Sequence, residues 1–251
     1  LLNFNSQTKV QKQVIPAILE QKDVIIKSHT GSGKTAAFAI PICQLLDWNE
    51  NKPQALVITP TRELAIQVRE DIFNLGRFER LKVAAVYGKA PFHLQMKELK
   101  QKTHAVVGTP GRMIDHIERN TLDISKIKYL VIDEADEMLK MGFIEEVDKI
   151  IGKLPDHRVT IVLSATMPDH INDLCKRYMK NPLYVDVEEQ TSTSEAISQE
   201  RYEVNPLDKL ELLKDLMTVE NPDSCLIFCN TQLKVDEVYN ELSKLNYACD
   251  R

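Results

Sequence analysis

The sequence predicts an α/β fold, a doubly wound and mostly parallel sheet with helices on its faces, followed by a smaller α/β piece. Three observations predict it. Short β-branched runs recur along the chain, and several lack polar alternation, as strands buried on both faces of a parallel sheet do. Amphipathic stretches with a 3.6-residue period separate them. A single polar, Ser/Thr-rich run then breaks the alternation.

The strand runs are Val24–Lys27, Leu56–Thr59, Val83–Val86, Ala105–Val107, Tyr129–Ile132, Thr160–Leu163 and Leu183–Val187. Helical patterns lie between them. One is the apolar run from Ala36 to Leu46, and another carries Leu64, Val68, Ile72 and Leu75. Two more are the sets Phe143, Val147, Ile150, Ile151, Leu154 and Ile171, Leu174, Cys175, Tyr178. Strand and helix in this alternation build a doubly wound sheet. Residues 188–199 form the polar run and are expected to be a linker. Beyond them the pattern predicts a strand over Glu200–Val204, a helix carrying Leu210, Leu213 and Met217, a buried strand over Cys225–Cys229, and a helix carrying Val235, Val238, Tyr239 and Leu242. So short a segment does not complete an α/β domain of ordinary size. The expected division is therefore a domain over 1–187, a linker over 188–199, and the first part of a second domain over 200–251.

Composition excludes several classes. The formal net charge is −5 and the pI is near 5.8, which argues against coating nucleic acid through bulk positive charge; any such site must be local. The longest apolar run, Ala36 to Leu46, is interrupted by Pro41 and Gln44 and falls short of the ~20 residues of a membrane helix. No charged-then-apolar leader opens the chain, so nothing points to secretion. The five cysteines are expected to be free, mostly buried thiols of a reducing compartment, and neither they nor the histidines show metal-ligand spacing.

Chemistry first concentrates in Ser28-His29-Thr30-Gly31-Ser32-Gly33-Lys34-Thr35, between an apolar strand and a helical run. Such a loop wraps backbone N–H groups around phosphate oxygens, and glycine permits the backbone angles that this requires. Lys34 would reach the terminal phosphates and the Thr35 hydroxyl would hold Mg²⁺, with the helix dipole adding positive potential. His29 has no catalytic role in this reading. The strand Tyr129–Ile132 then runs straight into Asp133-Glu134-Ala135-Asp136. Asp133 is the candidate for holding the metal with Thr35, and Glu134 for orienting and deprotonating the attacking water. Read alone, these acids could equally mark a helix start; beside the phosphate loop they read as its partners.

Together these two segments resemble the DEAD-box ATP-dependent RNA helicase family. Further family motifs follow in the family's order: Pro60-Thr61-Arg62-Glu63-Leu64-Ala65, Thr109-Pro110-Gly111-Arg112, Ser164-Ala165-Thr166 and Leu226 through Thr231. Thr8 and Gln11 resemble the end of the family's adenine-reading motif, with Gln7 where Pro is usual. Tyr87-Gly88-Lys89 looks most like the bacterial DbpA/YxiN-like branch. The resemblance covers essentially the whole chain. It implies RecA-like domains, the second incomplete here, ATP and Mg²⁺ as cofactors, and Asp136, Ser164 and Thr166 as a link between hydrolysis and strand separation. It also implies an arginine finger from a later motif of the second domain, past residue 251, and hence ATP binding with feeble turnover for the segment given. A cytoplasmic monomer acting on RNA, in ribosomal RNA or ribosome assembly, completes the expectation.

The RNA would lie at the carboxyl ends of the strands, where ligands of parallel sheets collect. Pro60, Thr61, Arg62, Glu63, Gly88, Lys89, Thr109, Pro110, Gly111 and Arg112 all follow strands at that edge. Helix N-termini and arginines there would grip sugar-phosphate with no base information. Two other readings stay open on sequence alone: another P-loop enzyme such as a kinase, and a non-processing RNA clamp that uses ATP only to lock.

Overall fold

The computed structural model describes residues 6–28, 31–187, 198 and 200–251. The chain divides into two compact units, Leu1–Thr191 and Ser192–Arg251. The expected linker, 188–199, lies outside the described residues except for position 198.

In the first unit the elements follow in order: α1 (Lys9–Leu19), β1 (Val24–Lys27), α2 (Lys34–Leu45), β2 (Ala55–Ile58), α3 (Arg62–Gly76), a 3₁₀ turn (Arg77–Glu79), β3 (Val83–Val86), α4 (Phe92–Leu99), β4 (Ala105–Gly108), α5 (Pro110–Glu118), β5 (Tyr129–Ile132), α6 (Ala135–Lys140), α7 (Ile144–Ile151), β6 (Val159–Ser164), α8 (Asp169–Tyr178) and β7 (Leu183–Asp186). The seven strands form one sheet in the order β3-β4-β2-β5-β6-β1-β7, with every pairing parallel.

Both faces are dry, which explains the unbroken apolar strands. Val24 and Ile26 pack with Val57, Val131 and Ile161 against α1, α2 and α3. Their alternates Ile25, Leu56, Leu130 and Val162 pack on the opposite face, against residues of α5, α6, α7 and α8. Each such side chain contributes about 1.5–3 kcal/mol by leaving water, and a one-residue slip would exchange the two faces of a strand. The register therefore fixes which residues emerge at the strand ends. Ile58 pairs with both Gly108 and Ile132, and Val86 pairs with Gly108. The segments after β2, β3, β4 and β5 thus leave the sheet at one level.

The second unit corrects two expectations. It contains α9 (Lys209–Glu220) and α10 (Gln232–Lys244), but neither Glu200–Val204 nor Cys225–Cys229 is a strand among the described residues. A strand exists only where a neighbour takes its N–H and C=O groups, and no ladder forms among the described residues of this unit. Leu226 and Phe228, expected in a buried strand, are 86% and 92% exposed. The helices meet through Lys214 of α9, which pairs with Glu241 of α10 at 3.0 Å. Of the cysteines, Cys43 and Cys175 are buried as expected, while Cys225 is exposed and Cys229 and Cys249 are half-buried. Burial pushes the Cys43 and Cys175 thiols up to about 12 and about 11.

Candidate functional site

The segment expected to bind phosphate follows β1. Gly31 and Gly33 have φ of +85° and +83°, the left-handed region where a side chain is strained. At Gly33 space is also short: a Cβ would lie 2.7 Å from Gln11 Nε2. That closeness is used, because Gln11 donates to the Gly33 carbonyl at 3.2 Å. Gln11 is held in turn by a capping box with Thr8, accepting from the Thr8 N–H at 3.0 Å while its own N–H donates to Thr8 Oγ1. The two residues expected to read adenine are thus joined to the loop expected to hold phosphate. Ser28 and Ser32 share a hydrogen bond at 2.7 Å. Lys34, the first residue of α2, donates to the Ser28 carbonyl at 2.7 Å. His29 and Thr30 of the expected loop lie outside the described residues.

Lys34 and Asp133 face one cleft of about 460 Å³, which Gly31, Gly33, Thr35 and Glu134 also line. Asp133 follows β5, donates its N–H to the Ile58 carbonyl, and is 4% exposed. Its Oδ1 has no hydrogen-bond partner among the described residues. Burial pushes its carboxyl up to about 6, with Lys34 opposing and Glu134 adding to the rise. A buried acceptor without a donor is costly, and its position suggests a cation as the missing partner. Mg²⁺ takes carboxylate, hydroxyl, water and phosphate oxygens; Asp133 and Thr35 would supply the first two. No group of three or more His, Cys, Asp or Glu placed to hold a metal ion occurs among the described residues; water and nucleotide oxygens would complete such a shell.

Glu134 is the N-cap of α6 with φ +52° and ψ +52° and no side-chain cap bond. A non-glycine residue held left-handed is strained, and such strain gathers at functional positions. The conformation turns the chain from strand into helix without committing the carboxylate to the cap. Burial raises its pKa, while Lys34 lowers it. The same ammonium therefore acts on both carboxylates.

Asp136 is different. Its carboxylate accepts from the Thr166 N–H at 3.0 Å and the Thr166 hydroxyl at 2.9 Å, while its own N–H donates to Ser164 Oγ at 3.2 Å. Burial alone would raise its pKa, but these bonds outweigh it and hold the carboxyl below the usual carboxylate range. α6 is thereby tied to the end of β6.

At the neighbouring strand ends, Thr61 caps α3 by accepting from the Leu64 N–H at 3.2 Å. Arg62 lies over the Tyr87 ring at 5.2 Å, and Glu63 is exposed in the first turn. Pro60 is buried, Gly88 half-buried and Lys89 exposed, the last with φ +60°. Thr109 precedes α5, whose first residue is Pro110, and Gly111 is exposed. Arg112 departs from the picture of a free cation: its Nη1 donates to the Ala90 carbonyl at 2.9 Å and to Gln95 Oε1 at 3.0 Å. Sequence reasoning missed Gln95 and its partner His116, and it missed Gln67, Asp71 and Asn74 of α3, which line the cleft. No local pattern marks any of them.

Comparison with known proteins follows the same lines. A family model described as DEAD/DEAH box helicase matches residues 8–174. The ATP-dependent RNA helicase DbpA of Bacillus subtilis is 55% identical over 250 residues, covering 100% of this chain and 52% of its own. A DEAD-box ATP-dependent RNA helicase CshA from Geobacillus kaustophilus is 41% identical over 249 residues, covering 99% of this chain and 53% of its own. The chain thus spans about half the length of these curated relatives. A crystal structure of a DEAD box protein from the hyperthermophile Methanococcus jannaschii superimposes with a TM-score of 0.72 at 39% identity, over 97% of this chain and 66% of that one.

Proposed function

The chain belongs to the DEAD/DEAH box helicase family, and from that premise we propose that it supplies the ATP-binding half of an RNA-dependent ATPase that opens short RNA duplexes. Residues 1–187 are the RecA-like ATP-binding domain in this reading, 188–199 the linker, and 200–251 the start of a second RecA-like domain. The observation that carries it is the shared cleft, which Gly31, Gly33, Lys34 and Thr35 line together with Asp133 and Glu134.

Phosphoryl transfer asks a protein mainly to position groups and stabilise charge. Lys34 leaves the Ser28 carbonyl for the terminal phosphates, and the loop N–H groups surround them. Thr35 and Asp133 would hold Mg²⁺, which supplies neutralisation of phosphate charge when bound. Glu134, free of any cap and raised in pKa, orients the attacking water and takes its proton. Thr8 and Gln11 face the adenine. The Asp136–Ser164–Thr166 bonds carry movement from the hydrolytic edge to β6 and α8.

RNA lies across Pro60–Glu63, Gly88–Lys89 and Thr109–Arg112. The N-termini of α3 and α5 offer unpaired N–H groups to phosphate, with Arg62 and Lys89 adding charge. Arg112 acts from behind, through the Ala90 carbonyl. Such contacts are blind to sequence. We assign ribosomal RNA as the target class, ribosome assembly as the setting, a monomer as the acting form and the cytoplasm as the location, on the likeness to the DbpA/YxiN-like branch. No described helix is long and apolar enough to cross a membrane.

The test compares ATPase stimulation of the full-length protein by single-stranded RNA, single-stranded DNA and small hydroxyl acceptors. Stimulation by RNA above the others is expected, and equal stimulation by a small acceptor would point to a kinase. Displacement of a short RNA duplex distinguishes a helicase from an RNA clamp.

A further inference from the structure

Gln95 sits in α4, away from every motif, yet it is 5% exposed and both ends of its amide are engaged. Its Nε2 donates to the Tyr87 carbonyl at 3.0 Å. Its Oε1 accepts from Arg112 Nη1 at 3.0 Å and lies 3.1 Å from His116 Nε2. A guanidinium only donates, so the oxygen must face Arg112 and the nitrogen must face Tyr87. His116 then donates from Nε2 as a neutral ring. Its burial, helped by Arg112 and Arg119 against a smaller opposing pull from Asp115, favours that state, with a pKa lowered to about 4. Phe92 stacks on the imidazole at 4.1 Å.

The geometry closes a loop. Gln95 holds the carbonyl of Tyr87 and Arg112 holds the carbonyl of Ala90, so the Gly88–Lys89 turn is gripped at both ends. The two grips meet at the bond between Gln95 Oε1 and Arg112. Lys89 keeps its left-handed φ of +60° inside this frame, as strained backbone does where its surroundings over-determine it. Arg112 and His116 both belong to α5, so the same bonds fix the start of that helix.

We propose that Gln95 is a positioning residue for RNA: its buried amide locks the Gly88–Lys89 turn and the N-terminus of α5 into one register, so that both meet the same strand. This rests on the RNA reading above. Gln95 itself touches no RNA. A frame set before binding spares the strand the cost of ordering two separate segments.

The experiment is steady-state ATPase of the full-length protein with a single-stranded uridine oligonucleotide, comparing wild type, Gln95→Glu and Gln95→Leu. Gln95→Glu keeps the acceptors for Arg112 and His116 but cannot donate to Tyr87, so it reads the turn even if Gln95→Leu fails to fold. We expect the KM for RNA to rise about tenfold, the worth of a lost buried hydrogen bond. The kcat at saturating RNA and the KM for ATP should stay within about twofold. An unchanged KM for RNA overturns the proposal, and so does an equal loss in the KM for ATP, which would mark general damage. A wild type that RNA fails to stimulate removes the RNA reading itself.

Discussion

Asp133 and Asp136 stand three residues apart, are each 4% exposed, and are shifted in opposite directions. Asp136 accepts from the Thr166 N–H and hydroxyl and is stabilised as an anion. Asp133 has an oxygen without a partner among the described residues, and burial pushes its pKa up. Burial raises both carboxyls; at Asp136 the donors at hand outweigh it, and at Asp133 they do not. One aspartate holds the structure together. The other has an oxygen that the proposal gives to a cation, and Glu134 between them pays for its freedom with a strained backbone.

Three substitutions sharpen this contrast, the largest effect first. Glu134→Gln should lower RNA-stimulated ATPase of the full-length protein by about 10²–10⁴ while ATP affinity, measured by titration calorimetry, holds. Retained turnover would move the base elsewhere. Asp136→Ala should destabilise the fold by about 2–3 kcal/mol, because the Thr166 donors lose their charged acceptor, and thermal melting would show it. Asp133→Asn should do the reverse. Its folded pKa of about 6 stands above the roughly 3.9 of an unfolded aspartate, so the folded state holds the proton more tightly. The penalty is absent below about pH 4 and complete above about pH 6, reaching at most about 3 kcal/mol. The asparagine variant should melt higher than wild type at pH 8, with the difference vanishing near pH 4. A variant less stable at pH 8 would show that Asp133 has a donor after all.

The same contrast explains how much could be read beforehand. Val24–Lys27, Val83–Val86 and Tyr129–Ile132 are strands with the bounds that their apolar runs suggest, because a two-sided core writes itself into consecutive residues. Cys225–Cys229 reads equally apolar and forms no strand, because pairing depends on a neighbour and not on the segment's own composition. Gly31–Thr35 and Asp133-Glu134 were legible as candidates because each is contiguous, and the structure brings residues of both to one cleft. That Arg112 is occupied by Ala90 and Gln95 was not: a sequence shows a charge without showing what already holds it. Gln95 carried no signal at all, since its partners lie 8, 17 and 21 positions away on other elements.

In the proposed function Lys34 and Asp133 address one nucleotide, with Asp133 holding its metal. Calorimetric titration of ATP at pH 8 tests it most directly, with wild type and Asp133→Asn each measured in Mg²⁺ and in EDTA. Magnesium should tighten ATP binding to wild type on the order of tenfold and leave the asparagine variant nearly unchanged. Equal tightening of both proteins would contradict the assignment.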